Sequence, residues 1–288
     1  MYSNRLFTPL RYPGGKAAFA PFITSVMEEN GLHGGSYMEP YAGGAGVALD
    51  LLFSGTARHI HINDADPAVY CFWNAVKQDP EGMLRLLRDT PITMEEWLRW
   101  RDVLRGTTEA SSLELGFATL FMNRTNRSGI LKGGVIGGLK QDGSYKLDAR
   151  FKKDVIAGRI NRIALNSESI SVYCEDAMTI LSRAKELIDG KGLIYLDPPY
   201  YVKGKGLYRN YYSDQDHQSI ASLVQGKGFT TPWVVSYDNV EPIHRMYAGS
   251  ASLVYGLNYT AHRKYRASEC VFLSRKLKPP ALDRSTAA

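Results

Sequence analysis

The chain has 288 residues, 44% hydrophobic and 22% charged, with a net charge of +6 and three cysteines. That length and balance suit one sizeable core with room for an insert and exclude a disordered chain. Cys71, Cys174 and Cys270 are far apart, with no CxxC and no Cys/His cluster, so neither a disulfide framework nor a metal site is expected. No apolar run reaches the roughly 18 residues of a membrane span, and the N-terminus lacks a secretory build, so a soluble, cytoplasmic protein without a membrane partner is expected.

In chain order, Arg11 to Lys16 reads as a loop entering a helix over Lys16 to Asn30, where Phe19, Phe22, Ile23, Val26 and Met27 recur at helical spacing and Gly31 follows. Ser36 to Pro40 reads as the end of a strand. The glycine turn Gly43-Gly44-Ala45-Gly46 leads into a helix over Val47 to Phe53. His59 to Ile62 is a strand that ends at Asn63-Asp64. Strand, glycine turn, helix, strand and acid make a βαβ unit. Pro67 to Gly106 reads as helical, with Trp73, Trp97 and Trp100 packed inward. Six glycines between Gly129 and Gly143 punctuate a loop or hairpin, and Phe151 to Leu165 returns to helical spacing.

The alternating pattern then resumes, with a strand over Ile170 to Tyr173, a helix over Ala177 to Ile188 and a buried strand over Leu193 to Leu196. A helix capped by Ser213 and a strand over Trp233 to Ser236 follow. Leu253 to Asn258 and Cys270 to Leu273 close the sheet as an antiparallel pair. The basic excess is local: Leu120 to Leu165 holds ten Lys and Arg against three Asp and no Glu, which accounts for the whole net charge. Such a segment suits a polyanion.

The sharpest chemical signal is Leu193-Ile194-Tyr195-Leu196-Asp197-Pro198-Pro199-Tyr200. An apolar strand delivers Asp197 to its carboxyl end, where open α/β sheets bind ligands. Two prolines fix the turn without adding backbone donors, and Tyr200 offers a flat face for a base. The glycine turn followed by Asp64 is the second signal: such turns let backbone approach a cofactor, and an acid about 20 residues on takes ribose hydroxyls. The turn lacks the GxGxxG of a pyrophosphate binder, which argues against NAD.

Together these motifs resemble the DNA adenine N6-methyltransferase family, the DNA adenine methylases of the D12 class, from Arg11 to about Leu273. The resemblance implies a Rossmann-like, S-adenosylmethionine-dependent α/β sheet (1–76 and 166–275), an inserted, mainly helical target-recognition domain (77–165) and a tail (276–288). It implies a site-specific enzyme that moves a methyl group from S-adenosylmethionine to the N6 of a flipped adenine in double-stranded DNA. Tyr12-Pro13-Gly14-Gly15-Lys16 is similar to the family's N-terminal cofactor motif and makes Tyr12 and Lys16 cofactor residues. Glu39-Pro40-Tyr41-Ala42-Gly43-Gly44-Ala45-Gly46 resembles the Glu-Pro-Phe-x-Gly-x-Gly turn, with Tyr41 for Phe and Ala45 at the second glycine; Glu39, Pro40, Tyr41 and Gly43 join the cofactor set. Asp64 matches the ribose acid, Asp176 the acid near the adenine, and Asp197 borders the cofactor. Asp197, Pro198, Pro199 and Tyr200 match the catalytic motif.

Phe121 to Gly129 resembles the start of the recognition region, which makes Asn123, Arg124, Asn126 and Arg127 DNA-binding candidates, with Lys132 and Lys140 beyond them. The Lys203–Gly206 loop and Tyr208 to Tyr212 are candidates to close over the base. No metal is required, a monomer is the default, and a cognate restriction endonuclease is a candidate partner. The alternatives are an RNA adenine N6-methyltransferase, an enzyme acting on another planar amine or amide nitrogen, and a catalytically weak DNA-binding regulator on the same fold. A cytosine N4 enzyme fits less well, because that group carries Ser in place of Asp197.

Overall fold

A computed structural model of the chain describes residues 7–11, 16–188, 190–202, 212–261 and 263–280, without side chains at 255–261 and 263–268. One sheet runs through it: β1 (Gly35–Glu39), β2 (Ala57–Asn63), β3 (Ile170–Tyr173), β4 (Gly192–Leu196), β5 (Trp233–Asp238), β6 (Ala251–Ala261) and β7 (Arg263–Leu273). The order across the sheet is β3-β2-β1-β4-β5-β7-β6. Neighbours from β3 to β5 pair in parallel, and β7 runs antiparallel to both β5 and β6. This is a mixed α/β, Rossmann-like fold. The strand order reverses between β1 and β4, which opens a crevice at their carboxyl ends.

Alternation along the strands builds two cores, because successive side chains leave a strand on opposite faces. Tyr37, Leu193, Tyr195, Val234 and Val271 point to one face, and Met38, Ile194, Leu196, Val235 and Phe272 to the other. The first face is covered by α1 (Ala20–Glu29), α2 (Gly46–Ser54), α3 (Pro67–Gln78), α4 (Pro80–Asp89), α5 (Met94–Arg105), α6 (Ser112–Thr125) and α7 (Lys153–Ala164). The second is covered by α8 (Ala177–Ser182), α9 (Ala184–Leu187), α10 (Asp214–Gln225) and α11 (Glu241–Met246). The single helix expected over Ala177 to Ile188 is broken at Arg183.

The helix starts follow side-chain caps: Asp66 on α3, Asp79 on α4, Thr93 on α5, Asp176 on α8, and full capping boxes from Ser111 with Glu114 and from Ser213 with Asp216. Each cap satisfies an amide that the helix itself leaves open. Helix α6 runs from its box into the core and crosses α3 at Gly116, where a Cβ would lie 2.6 Å from the Cys71 carbonyl oxygen. Trp100 and Phe117 meet edge to face at 4.9 Å beside that crossing. The same cluster of buried side chains continues from Trp97, Phe121, Phe151 and Ile156 into Ile60, Ile62 and Val76, so it spans the expected insert boundaries.

Residues 276–280 are more firmly held than the expected loose tail. Leu277 is buried in the first core, and the Lys278 backbone exchanges hydrogen bonds with the Asn30 side chain at 2.8 and 2.9 Å. Among the described residues no helix is long and apolar enough to cross a membrane.

Candidate active site

The left wall of the crevice begins at Glu39, the last residue of β1. Its carboxyl Oε1 accepts the Tyr37 hydroxyl at 3.0 Å and the Ala48 amide, in the first turn of α2, at 2.9 Å. That amide is one of those a phosphate would seek at a helix N-terminus; here a side chain of the protein holds it. Burial pushes the Glu39 carboxyl up to about 8, against the lowering pull of those two donors. The turn that follows bends through Gly43 and Ala45, at φ 46° and 47°. Ala45 therefore keeps the left-handed backbone that a glycine would adopt freely, at a cost of about 1 kcal/mol. Trp73 Nε1 donates to the Gly43 carbonyl at 2.9 Å and fixes the turn from behind.

Asp64 lies just past β2, beside the same turn. Its carboxylate accepts the Gly43 amide at 3.0 Å and the Asp66 amide at 2.9 Å. Burial raises it to about 6, although both amides pull the other way. Asn63 ties three strand ends together: its side chain donates to the carbonyls of Pro40 and Glu175 and accepts the Glu175 amide, at 2.9 to 3.0 Å. Asp176, exposed at the end of the neighbouring β3, caps α8 through the Met178 amide. Tyr41 turns its hydroxyl to that of Tyr212 at 3.2 Å.

The other wall is the end of β4. Asp197 Oδ1 accepts the Ser236 hydroxyl at 3.1 Å and lies 3.3 Å from Lys16 Nζ. Oδ2 takes no hydrogen bond among the described residues, and the side chain is 26% exposed. Burial raises the Asp197 carboxyl, Lys16 lowers it and Glu269 raises it again. Lys16 opens the 3-10 turn Lys16–Phe19, so the helix predicted from that residue supplies it to the site. Its ammonium also donates to Glu269 Oε2 at 2.6 Å and to the Tyr200 hydroxyl at 3.3 Å. Tyr200 in turn donates to Glu269 Oε1 at 2.8 Å, with Lys16 5.2 Å from its ring centroid. Pro198 is buried and Pro199 half-buried.

The chain beyond Tyr200 is also fixed. Asp238, ending β5, accepts the amides of Tyr201 and Val202 at 2.9 and 3.0 Å. Buried His217 packs against the rings of Tyr201 and Tyr212 and shares a 3.0 Å hydrogen bond with Tyr237. So the structure gathers Lys16, Asp197, Pro198, Pro199 and Tyr200 at one strand end, and Glu39, Pro40, Tyr41, Gly43, Asp64 and Asp176 along the adjoining ones. Tyr12, the 203–206 loop and 208–211 lie outside the described residues. Three partners were not read from the sequence: Ser236, Asp238 and Glu269. Asp238 closes a largely apolar strand, much as Asp64 and Asp197 directly follow theirs, and that placement was the available signal. Glu269 precedes the apolar end of its strand and carries no comparable mark.

The basic segment divides in two. Asn123, buried, donates to the carbonyls of Arg11 and Gly129 at 2.8 and 2.9 Å and accepts the Arg11 amide, which uses its whole amide group. Asn126 accepts from Trp97 Nε1 and donates to Ile130 and Leu131. Arg124, buried, donates to the Pro9 carbonyl. These three side chains hold the segment together. Arg127, Lys132 and Lys140 are exposed. Lys132 also borders a groove of about 390 Å³ that includes Arg105 and the Asp66–Ala68 start of α3. Among the described residues no group of three or more His, Cys, Asp or Glu is placed to hold a metal.

Comparison with known proteins places this geometry in context. The sequence profile for D12 class N6 adenine-specific DNA methyltransferase matches residues 12–261. The chain is also similar to the type II methyltransferase M.MjaIII of Methanocaldococcus jannaschii, with 24% identity over 210 residues, covering 66% of this chain and 68% of that protein.

Proposed function

The chain belongs to the family of D12 class N6 adenine-specific DNA methyltransferases, and on that premise we propose that it methylates the exocyclic N6 of an adenine flipped out of duplex DNA, with S-adenosylmethionine as donor. The observation that carries this reading is Asp197: its Oδ1 is held by Ser236 and Lys16, while Oδ2 takes no hydrogen bond among the described residues, at the carboxyl end of β4.

The N6 lone pair of adenine is delocalised into the ring and is a poor nucleophile. In the proposed site Asp197 Oδ2 and the Pro198 carbonyl accept the two N6 hydrogens, which localises the lone pair and aims it by position and electrostatics. Tyr200 stacks on the extruded base, with its ring plane fixed by the hydroxyl's bond to Glu269. S-adenosylmethionine supplies the electrophilic methyl group when bound. The crevice fits a cofactor without phosphates: Glu39 already holds the Ala48 amide, and Asp64 keeps acceptor capacity for ribose hydroxyls beyond its two amides. Lys16, Tyr41 and Asp176 border the same cleft in this reading.

DNA contact is assigned to residues 77–165, the proposed target-recognition insert. Arg127, Lys132 and Lys140 face solvent and suit phosphates or base edges. Asn123, Arg124 and Asn126 act on DNA through the shape of the segment they hold.

The test is product identity. Purified protein is incubated with unmethylated duplex DNA and tritiated S-adenosylmethionine, and the DNA is digested to nucleosides. Label in N6-methyldeoxyadenosine is the expected result. Label in a cytosine derivative, or transfer to RNA and not to DNA, overturns the reading.

A further inference from the structure

One loop of the basic segment is built beneath an apolar tip. Residues 137–145 close on themselves: the Gly143 amide donates to the Gly137 carbonyl at 3.2 Å, and a Cβ on Gly137 would lie 2.6 Å from the Tyr145 carbonyl oxygen. Gly137, Gly138 and Gln141 take left-handed backbone, at φ 86°, 77° and 53°. Glycine adopts it freely, whereas Gln141 is held there by the contacts of its side chain. Its Nε2 donates to the carbonyls of Ile136 and Gly138 at 2.7 Å, and its Oε1 accepts the Leu147 amide at 2.9 Å. The Lys146 ammonium donates to the Gln141 carbonyl. Leu147 is buried in the first core, so this staple ties the loop to the body of the protein.

The tip that the staple supports is Leu139, 70% exposed. A single exposed apolar side chain is ordinary on a protein surface, but this one stands on a fixed loop in basic surroundings. Tyr145, equally exposed on the other limb, has a hydroxyl to give to water; Leu139 has no polar side-chain atom. Between positions 127 and 146 four exposed cations, Arg127, Lys132, Lys140 and Lys146, stand against one exposed acid, Asp142. Such a surface is drawn to DNA phosphates. A narrow loop enters a major groove about 12 Å wide with its cations toward the phosphates of the walls. On the groove floor the base edges present donors and acceptors, and the C5-methyl of thymine is the apolar group.

We infer that Leu139 is a specificity-determining residue that packs on the C5-methyl group of a thymine in the major groove of the substrate. This deepens the proposed function and rests on it. Uracil offers the same hydrogen-bonding edge as thymine without the methyl group, so the contact favours thymine over uracil. A leucine inserted between base pairs as a wedge would be indifferent to that methyl group.

The test compares two versions of one long duplex, amplified with dTTP or with dUTP in its place, as substrates for the wild type and Leu139→Ala. The Leu139 side chain makes none of the loop's hydrogen bonds, so the variant keeps the fold. The readout is the ratio of kcat/KM for N6-methyl transfer on thymine DNA to that on uracil DNA. Burial of one methyl group sets the expected wild-type ratio at about fourfold. Leu139→Ala is expected to bring it to within about 1.5-fold of unity, by slowing transfer to thymine DNA and leaving uracil DNA little changed. A side chain that only shapes the loop would slow both substrates alike and keep the ratio. A wild-type ratio within about 1.5-fold of unity, or a preference that Leu139→Ala retains, overturns the role of Leu139 and leaves the proposed function standing. A wild type that transfers no methyl group to adenine in either DNA overturns the proposed function, and this inference with it.

Discussion

Glu39 shows how much chemistry one buried carboxyl at a strand end stores. Its folded-state value of about 8 lies above the ordinary 4.5. Below about pH 4.5 both folded and unfolded chains carry the proton, and nothing is lost. Between 4.5 and 8 only the folded chain holds it, so stability declines as pH rises through that window and levels off above it. Glu39→Gln keeps the shape and the acceptor oxygen without the charge. Thermal melts of the cofactor-free protein should match wild type near pH 4 and exceed it increasingly toward pH 9, by an amount on the order of a few kcal/mol. A variant that is equally destabilised at every pH contradicts the burial account. At this scale the sequence was informative where a residue stood in a strand-end pattern, as Asp64 and Asp197 did. It was silent where partners come from distant strands, as with the 253 positions separating Lys16 from Glu269.

Among the elements, the strands of the parallel sheet were the most legible, because runs such as Leu193-Ile194-Tyr195-Leu196 are apolar on both faces and bounded by turn residues. Helix α6 was harder to read. Ten of its fourteen residues, from Gly116 through Thr125, are buried, so no polar stripe marks its period. Its order depends on the close crossing of α3 at Gly116, where an added Cβ meets backbone and not a movable side chain. Gly116→Ala should cost about 1–3 kcal/mol in denaturant midpoint measurements. A neutral substitution would mean that the two helices part without penalty. The basic segment was likewise read by composition alone, which does not separate inward-turned Asn123, Arg124 and Asn126 from outward-turned Arg127, Lys132 and Lys140. That separation depends on Trp97, Pro9 and Arg11, which the chain brings in from elsewhere.

At the scale of the molecule, one core passes through both the sheet and the proposed insert. Calorimetry of the cofactor-free protein should therefore show a single transition with matching calorimetric and van't Hoff enthalpies; two resolved transitions would contradict that continuity. The local basic excess predicts DNA binding that weakens with salt. Lys140→Ala should lower affinity evenly across DNA sequences and reduce the slope of log affinity against log salt by about 0.9. An unchanged slope would remove Lys140 from the interface. Most directly, the site at the ends of β1 and β4 is tested by single-turnover methyl transfer to an adenine-containing duplex, with Asp197→Asn at saturating cofactor. The expected result is a rate at least about 100-fold below wild type with cofactor affinity kept within about tenfold. A variant that transfers methyl groups within about tenfold of the wild-type rate would show that Asp197 does not direct the amine.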